Sequence, residues 1–138
     1  IEPIIMFLII FIWTPSHFWA LSLYKFKDYQ KAKIPMLPIT AGIKRTKLNI
    51  LLYAILMLPV VVSPFFTGFG STIYLVLSLG MTIYYIRLCY LLFKTKVVSK
   101  SNLIARKVFV YSIFYLFFLF LLILFDNLFK LNEKLTFF

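Results

Sequence analysis

Four long apolar stretches alternate with shorter polar segments along the 138-residue chain. A helix that crosses a membrane needs about 20 consecutive, largely apolar residues. Four stretches meet this requirement, at residues 3–24, 48–66, 72–93 and 108–129. The pattern therefore predicts an all-α, multi-pass transmembrane helical bundle with four spans.

The composition supports a membrane protein and excludes several other classes. Hydrophobic residues make up 63% of the chain, whereas a soluble domain has about 45–50% apolar residues. The one cysteine, Cys89, lies in an apolar run and offers neither a disulfide within the chain nor a cysteine metal site. The sequence shows no glycine-rich phosphate loop and no RNA-binding aromatic signature, and we expect no nucleic-acid partner.

The charges are concentrated between the apolar stretches. The chain has 15 Lys and Arg residues against 4 acidic ones, a net charge of +11. The positive residues fall mainly in the predicted loops 25–47 and 94–107, whereas the connection 67–71 carries no charge. The positive-inside rule therefore predicts that both basic loops face the cytoplasm.

A polar, histidine-containing segment, residues 13–19, interrupts the first apolar stretch. If the helix continues to Asp28, helical periodicity places one set of residues on a shared face: Trp13, His17, Ala20, Tyr24 and Asp28. His17 lies seven residues before Tyr24, or roughly 10 Å along a helix, and we expect it to face protein or a cavity. Two interpretations are open: a histidine bonded to a neighbouring helix, or a proton carrier, iron ligand or contact to a polar substrate group.

Asp28 is the only acidic residue of the basic loop 25–47. It pairs with Lys25 or Lys31 at the surface in one interpretation, and such pairs contribute about 0–1 kcal/mol. In the other it is a ligand of Mg²⁺, which prefers a few carboxylates together with water and substrate phosphates. One carboxylate does not make a metal site, so a further acid has to come from outside this chain.

Lysines near Asp28 are candidates for binding a diphosphate as point charges, and they are Lys25, Lys27 and Lys31. Lysines at a membrane boundary more often hold the topology and attract anionic lipid. The apolar, proline-containing run 34–38 follows, and we expect it to dip back toward the membrane and cap a cavity.

The segment 7–21, together with 27–29 and 34–38, resembles the C-terminal half of the protoheme IX farnesyltransferase (heme O synthase) family, in the intramembrane UbiA-type prenyltransferase superfamily. The resemblance covers most of the chain. It implies a nine-helix fold of which these spans are the last four, with the first acidic motif in an N-terminal half that this chain lacks. The start at Ile1, directly before an apolar run, likewise leads us to expect a piece of a longer protein.

The chemistry implied by the resemblance is the transfer of a farnesyl group from farnesyl diphosphate to a vinyl group of heme B, with Mg²⁺, giving heme O for terminal oxidases. It makes His17 the expected heme-side contact and Asp28 the expected metal–diphosphate contact. The other expected substrate-binding residues are Trp13, Thr14, Trp19, Tyr24, Lys25, Lys27, Tyr29 and Lys31. Three positions depart from the family pattern: Ser16 replaces a proline, Lys27 an acidic residue and Lys33 a glycine.

Two other functions remain open at this point. One is a related prenyltransferase for a different aromatic acceptor, against which the histidine motif stands. The other is a non-catalytic multi-pass subunit or assembly factor, or a pseudogene remnant. We expect the fragment alone to be inactive, because a single carboxylate cannot assemble the metal site.

Overall fold

The computed structural model describes residues 1–136 of the chain and the side chains of residues 1–130. Within residues 1–136, six helices follow one another: α1 Glu2–Tyr24, α2 Phe26–Lys31, α3 Leu37–Thr40, α4 Ile43–Phe66, α5 Thr72–Lys94 and α6 Val98–Thr136. Four of them, α1, α4, α5 and α6, are long and apolar enough to cross a membrane. The described part of the chain is therefore an all-α membrane bundle, as predicted.

Two of the long helices extend beyond the predicted spans into basic sequence. α4 begins at Ile43 instead of residue 48, and α6 begins at Val98 instead of residue 108. The prediction of a loop over 94–107 is thus wrong from Val98 onward, and the turn between α5 and α6 is only residues 95–97. An apolar stretch ends where charged residues begin, but a helix can continue into charged sequence because its hydrogen bonds are made by the backbone.

The four long helices form a closed ring. α1 packs against α4 and α6, and α5 packs against the same two helices, so that α1 and α5 lie on one diagonal. One core cluster is built around the fully buried Ile9, Met57 and Leu119. The other contains Ala20 and Ala54, and such small residues let helix backbones approach closely in a membrane.

α1 ends before it reaches Asp28. Lys25 has φ −102° and ψ 26°, outside the helical range, and α2 starts at Phe26 as a separate short helix. The expectation that Asp28 shares a face with Trp13 and His17 is therefore wrong, because the face prediction required an unbroken helix.

A left-handed residue closes α2. The Lys33 N–H donates to the Gln30 carbonyl and the Ile34 N–H donates to the Tyr29 carbonyl, the hydrogen-bond pattern of a Schellman motif. Lys33 has φ 55°, a conformation that glycine adopts without a steric penalty. This geometry gives a physical reason for the glycine that the resembled family usually has at this position.

The segment 34–38 turns back onto the bundle only in part. Pro38 is buried in α3, which packs against α1 and α4, whereas Ile34 and Pro35 are exposed. The backbone of this segment thus leads from α2 across the end of the bundle to α4.

At the opposite end of the bundle, Asp126 of α6 holds the turn between α4 and α5. The backbone N–H of Ser71 donates to its carboxylate at 2.8 Å, and the Ser71 hydroxyl donates to the other carboxylate oxygen. Lys130 lies 3.7 Å from the same carboxylate. Because Ser71 is the N-cap of α5, the acid on α6 stabilises the start of a neighbouring helix.

Candidate functional site

His17 lies between α1 and α6, half-buried among aromatic rings. Its Nδ1 is 2.6 Å from the Ser112 hydroxyl oxygen on α6. Its ring stacks on Trp13, with 4.3 Å between centroids, and on Phe109, with 4.7 Å between centroids. The structure thus shows a histidine bonded to a neighbouring helix, and both faces of its ring are covered.

Trp13 is tied to the same serine. Its Nε1–H donates to the Ser112 carbonyl at 2.9 Å. Trp13 also borders an apolar cavity of about 830 Å³ between α1 and α6, lined almost entirely by hydrophobic side chains. The histidine cluster therefore lies beside a volume suited to an apolar ligand.

The other residues predicted within α1 lie elsewhere. The Thr14 hydroxyl donates to the Ile10 carbonyl of its own helix at 2.6 Å. Trp19 packs edge-on against Tyr53 of α4, with 5.1 Å between ring centroids. Trp13 and His17 are thus the two motif residues that the structure brings together.

Tyr24, the last residue of α1, is approached by two cations. The Lys25 ammonium lies 4.9 Å from the centre of its ring, and the Arg106 guanidinium carbon lies 5.9 Å away. Both distances are within the range of cation–π attraction. The end of α1 is therefore part of a strongly positive region.

This region contains a cavity of about 440 Å³, here called the lysine cavity, between the end of α1, α2 and the starts of α4 and α6. Its positive charge comes from four lysines, and its one acidic residue is Asp28. Ser101 and Asn102 of α6 add polar groups. The residues lining it are Leu23, Tyr24, Lys25, Phe26, Lys27, Asp28, Ile43, Lys47, Lys96, Val98, Ser101 and Asn102.

Lys47 and Asp28 differ sharply in their exposure. Lys47 is only 7% exposed, and its ammonium donates to the Thr95 carbonyl at 2.9 Å, which holds the α5–α6 turn against α4. The Asp28 side chain is 72% exposed and lies 3.9 Å from the Lys25 ammonium. An exposed pair at this distance is weak, so the Asp28 carboxylate exchanges its partner at little cost.

The structure does not bring all the predicted residues into this cavity. Lys31 and Tyr29 belong to α2 but are not among the lining residues, and neither is His17. The run 34–38 does not line it either. The lysine cavity and the histidine cluster are thus two separate parts of the candidate site.

Sequence reasoning missed several residues of both parts. The positive-inside rule treats Lys47 and Lys96 only as charges that set the topology, and hydropathy places Ser101 and Asn102 in a loop. Ser112 carried a usable signal, because a polar residue inside an apolar span usually bonds across helices. What the sequence could not provide was the pairing of helices that places Ser112 against His17.

The fit of a metal ion depends on Asp28. Within residues 1–130, no group of three or more His, Cys, Asp or Glu side chains lies close enough to hold a metal ion. Asp28 lies among lysines, so it could provide one carboxylate ligand to a Mg²⁺ ion whose other ligands are mainly phosphate oxygens. The other protein ligands of such an ion would have to come from outside the described residues.

Comparison with known proteins gives matches to one family of prenyltransferases. The model of the UbiA prenyltransferase family matches residues 1–122. The chain is 54% identical over 128 residues to a protein named protoheme IX farnesyltransferase from Pelagibacter ubique, covering 93% of this chain and 42% of the relative. Proteins of the same name are 40% identical in Parvibaculum lavamentivorans, covering 96% of this chain and 42% of the relative, and 46% identical in Rickettsia akari, covering 89% and 39%.

The chain spans about two fifths of the length of these curated relatives. No solved structure matches it.

Proposed function

The chain belongs to the UbiA prenyltransferase family, and from this premise we propose that it is the C-terminal part of a protoheme IX farnesyltransferase. The reaction would transfer the farnesyl group of farnesyl diphosphate to a vinyl group of heme B, with release of diphosphate, and water would add to complete the hydroxyethyl-farnesyl group of heme O. The observation that carries the proposal is the lysine cavity, a cationic pocket with one carboxylate at the end of an apolar membrane bundle.

The lysine cavity would bind the diphosphate. Cleavage of the bond between the allylic carbon and oxygen leaves negative charge on the departing diphosphate, and fixed cations near that charge lower the barrier. Lys25, Lys27 and Lys96 border the cavity with exposed side chains. Their ammonium groups can meet phosphate oxygens, whereas Lys47 is bonded to the Thr95 carbonyl and shapes the wall.

Asp28 would hold Mg²⁺ at the mouth of the same cavity. When bound, this ion supplies Lewis-acid neutralisation of the diphosphate charge. The weak pair between Asp28 and Lys25 leaves the carboxylate free to bind the ion. The remaining carboxylates would come from an acidic motif in the N-terminal part of the whole protein.

His17 would contact the heme side of the reaction. It lies beside the apolar cavity that Trp13 borders, and an isoprenoid chain and a porphyrin both need apolar walls. The four spans would then be the last four of nine, around a cavity that the N-terminal half completes.

The protein is an integral membrane protein, because it has four candidate membrane spans and belongs to a membrane-embedded family. We place it in the bacterial cytoplasmic membrane with the lysine cavity on the cytoplasmic side. The positive residues at that end support this orientation, as does the neutral turn at residues 67–70 of the other end. Farnesyl diphosphate is water-soluble and charged, so it would enter from the cytoplasm.

The proposal is tested by assaying heme extracts from cells that lack their own heme farnesyltransferase. The chain is expressed alone, joined to an upstream half that restores the length of its relatives, and in the same joined form carrying Asp28→Ala. We expect heme O only from the joined protein with Asp28 intact, at equal membrane levels of all three. Absence of heme O from every form would overturn the proposal and favour a non-catalytic subunit, and prenylation of another aromatic acceptor would favour a related transferase.

A further inference from the structure

The Ser112 hydroxyl decides which nitrogen of His17 carries the proton. Its oxygen lies 2.6 Å from the Phe109 carbonyl and 2.6 Å from His17 Nδ1. A serine hydroxyl has one hydrogen, and a carbonyl oxygen only accepts. Each 2.6 Å contact is short enough to need a hydrogen between its two atoms, and the carbonyl cannot supply one. Both contacts are satisfied when the hydroxyl donates to the Phe109 carbonyl and His17 Nδ1–H donates to the Ser112 oxygen.

The other ring nitrogen then carries a lone pair. In a neutral imidazole one nitrogen is a donor and the other an acceptor, so Nε2 is the acceptor. Among the described residues, no buried side-chain nitrogen or oxygen lacks a hydrogen-bond partner. No hydrogen bond to His17 Nε2 is found among the described residues, so Nε2 is not fully buried and is open to a group from outside them.

The orientation of the imidazole is fixed as well as its tautomer. Trp13 and Phe109 cover the two faces of the ring, and Trp13 is itself hydrogen-bonded to the backbone of Ser112. A flip of the His17 ring would break the bond to Ser112, because it would put Cδ2 of the ring, in place of Nδ1, beside the Ser112 hydroxyl oxygen.

We propose that Ser112 is a positioning residue that holds His17 as the Nδ1–H tautomer, so that the Nε2 lone pair is presented to the acceptor substrate. Nε2 then accepts a hydrogen bond or binds a metal ion there, as histidines do when their other nitrogen donates to a neighbouring oxygen. The tautomer follows from the geometry alone, and its use in catalysis rests on the proposed function.

The tautomer is tested directly on this chain in lipid bilayers. His17 is the single histidine of the sequence, so ¹⁵N-histidine labelling gives the NMR signals of one imidazole. We expect a protonated Nδ1 and an unprotonated Nε2 in the unmodified chain, and the same in Ser112→Thr, which keeps the hydroxyl. Ser112→Ala should shift the ring toward the Nε2–H tautomer that neutral imidazole prefers in water.

Ser78→Ala is the matched control, because Ser78 is a buried serine that donates only to its own helix, at the Leu75 carbonyl. It should leave the His17 signals unchanged. A protonated Nε2 in the unmodified chain, or an unchanged tautomer in Ser112→Ala, would overturn the proposal.

The catalytic use is tested in the joined, full-length protein. Loss of a group that orients a histidine costs about 10-fold to 100-fold, so Ser112→Ala should lower kcat by that factor. The KM for farnesyl diphosphate should stay within about twofold, since the diphosphate would bind in the separate lysine cavity, and Ser112→Thr should retain kcat. An unchanged kcat in Ser112→Ala would overturn the positioning role, whereas the absence of heme O from every form would count against the proposed function and leave the NMR result to decide the tautomer.

Discussion

Ser16 of α1 and Tyr85 of α5 share a hydrogen bond of 2.6 Å that crosses the centre of the bundle. The backbones of α1 and α5 do not approach each other closely, so this side-chain bond joins the two helices of one diagonal. The Ser16 hydroxyl donates to the Trp13 carbonyl, so the Tyr85 hydroxyl donates to Ser16. A proline, which the resembled family usually has at position 16, could not accept this bond.

Substitutions at this pair should have unequal effects on stability. Ser16→Ala leaves the fully buried Tyr85 hydroxyl without an acceptor and should lower the free energy of unfolding by about 1–3 kcal/mol. Tyr85→Phe should cost less, because Ser16 keeps its bond to Trp13. Unfolding in mixed micelles gives the values, and the double variant should resemble Tyr85→Phe. An equal loss from both single variants would show that the direction of the bond is wrong.

Asp126 should stabilise the fold more than its ion pair suggests. Asp126→Ala removes the acceptor of two hydrogen bonds from Ser71, and we expect a loss of about 1–3 kcal/mol. Lys130→Ala removes an ion-pair partner at 3.7 Å and an exposed hydrogen bond of 3.3 Å to the Gly68 carbonyl, and it should cost about 0–1 kcal/mol. Thermal unfolding of detergent-solubilised protein compares the two, and a larger effect of Lys130→Ala would contradict this account.

Lys33→Gly should stabilise the protein. A non-glycine residue in the left-handed conformation costs about 1–2 kcal/mol, which glycine removes. Glycine also makes the unfolded chain more flexible, and this lowers the gain in stability by about 0.4–1 kcal/mol. A net gain of about 0.5–1 kcal/mol is expected. Lys31→Gly, in the helical part of α2, is the control and should have the opposite sign, since glycine costs a helix about 1 kcal/mol.

The lysine cavity predicts which lysines affect diphosphate binding. In the full-length protein, Lys25→Gln and Lys96→Gln should each raise the KM for farnesyl diphosphate several-fold, and more strongly at low salt, because both side chains border the cavity. Lys31→Gln should leave KM unchanged. Steady-state kinetics at two salt concentrations make the comparison, and a raised KM for Lys31→Gln alone would favour the assignment made from sequence.

Asp28 should be needed for activity and not for stability. Its side chain is largely exposed and its ion pair is weak, so Asp28→Asn should unfold at the same temperature as the unmodified protein and insert equally well. Its heme O formation should fall by about 100-fold or more, the scale expected when a charge-stabilising group is lost. Asp28→Glu should recover part of the activity at high Mg²⁺ concentration. Full activity in Asp28→Asn would remove this residue from the proposed mechanism.

The number of spans and the class of fold could be predicted from the sequence alone. Apolar stretches of about 20 residues have few alternatives to a membrane helix, because every backbone polar group must be bonded internally in lipid. The residues from Trp13 to Trp19 and the segment around Asp28 were also enough to indicate the family, since they carry its pattern along one continuous stretch of chain.

Which of these residues lie side by side could be seen only in the three-dimensional structure. A single backbone break at Lys25 separates Asp28 from the His17 face, and hydrophobic periodicity is insensitive to such a break. Lys47 and Ser112 enter the candidate site from α4 and α6, and Lys96 enters it from the turn between α5 and α6. Their positions follow from which helices pack side by side. That arrangement depends on how side chains fit across several helix interfaces at once. No single segment of the sequence contains this information.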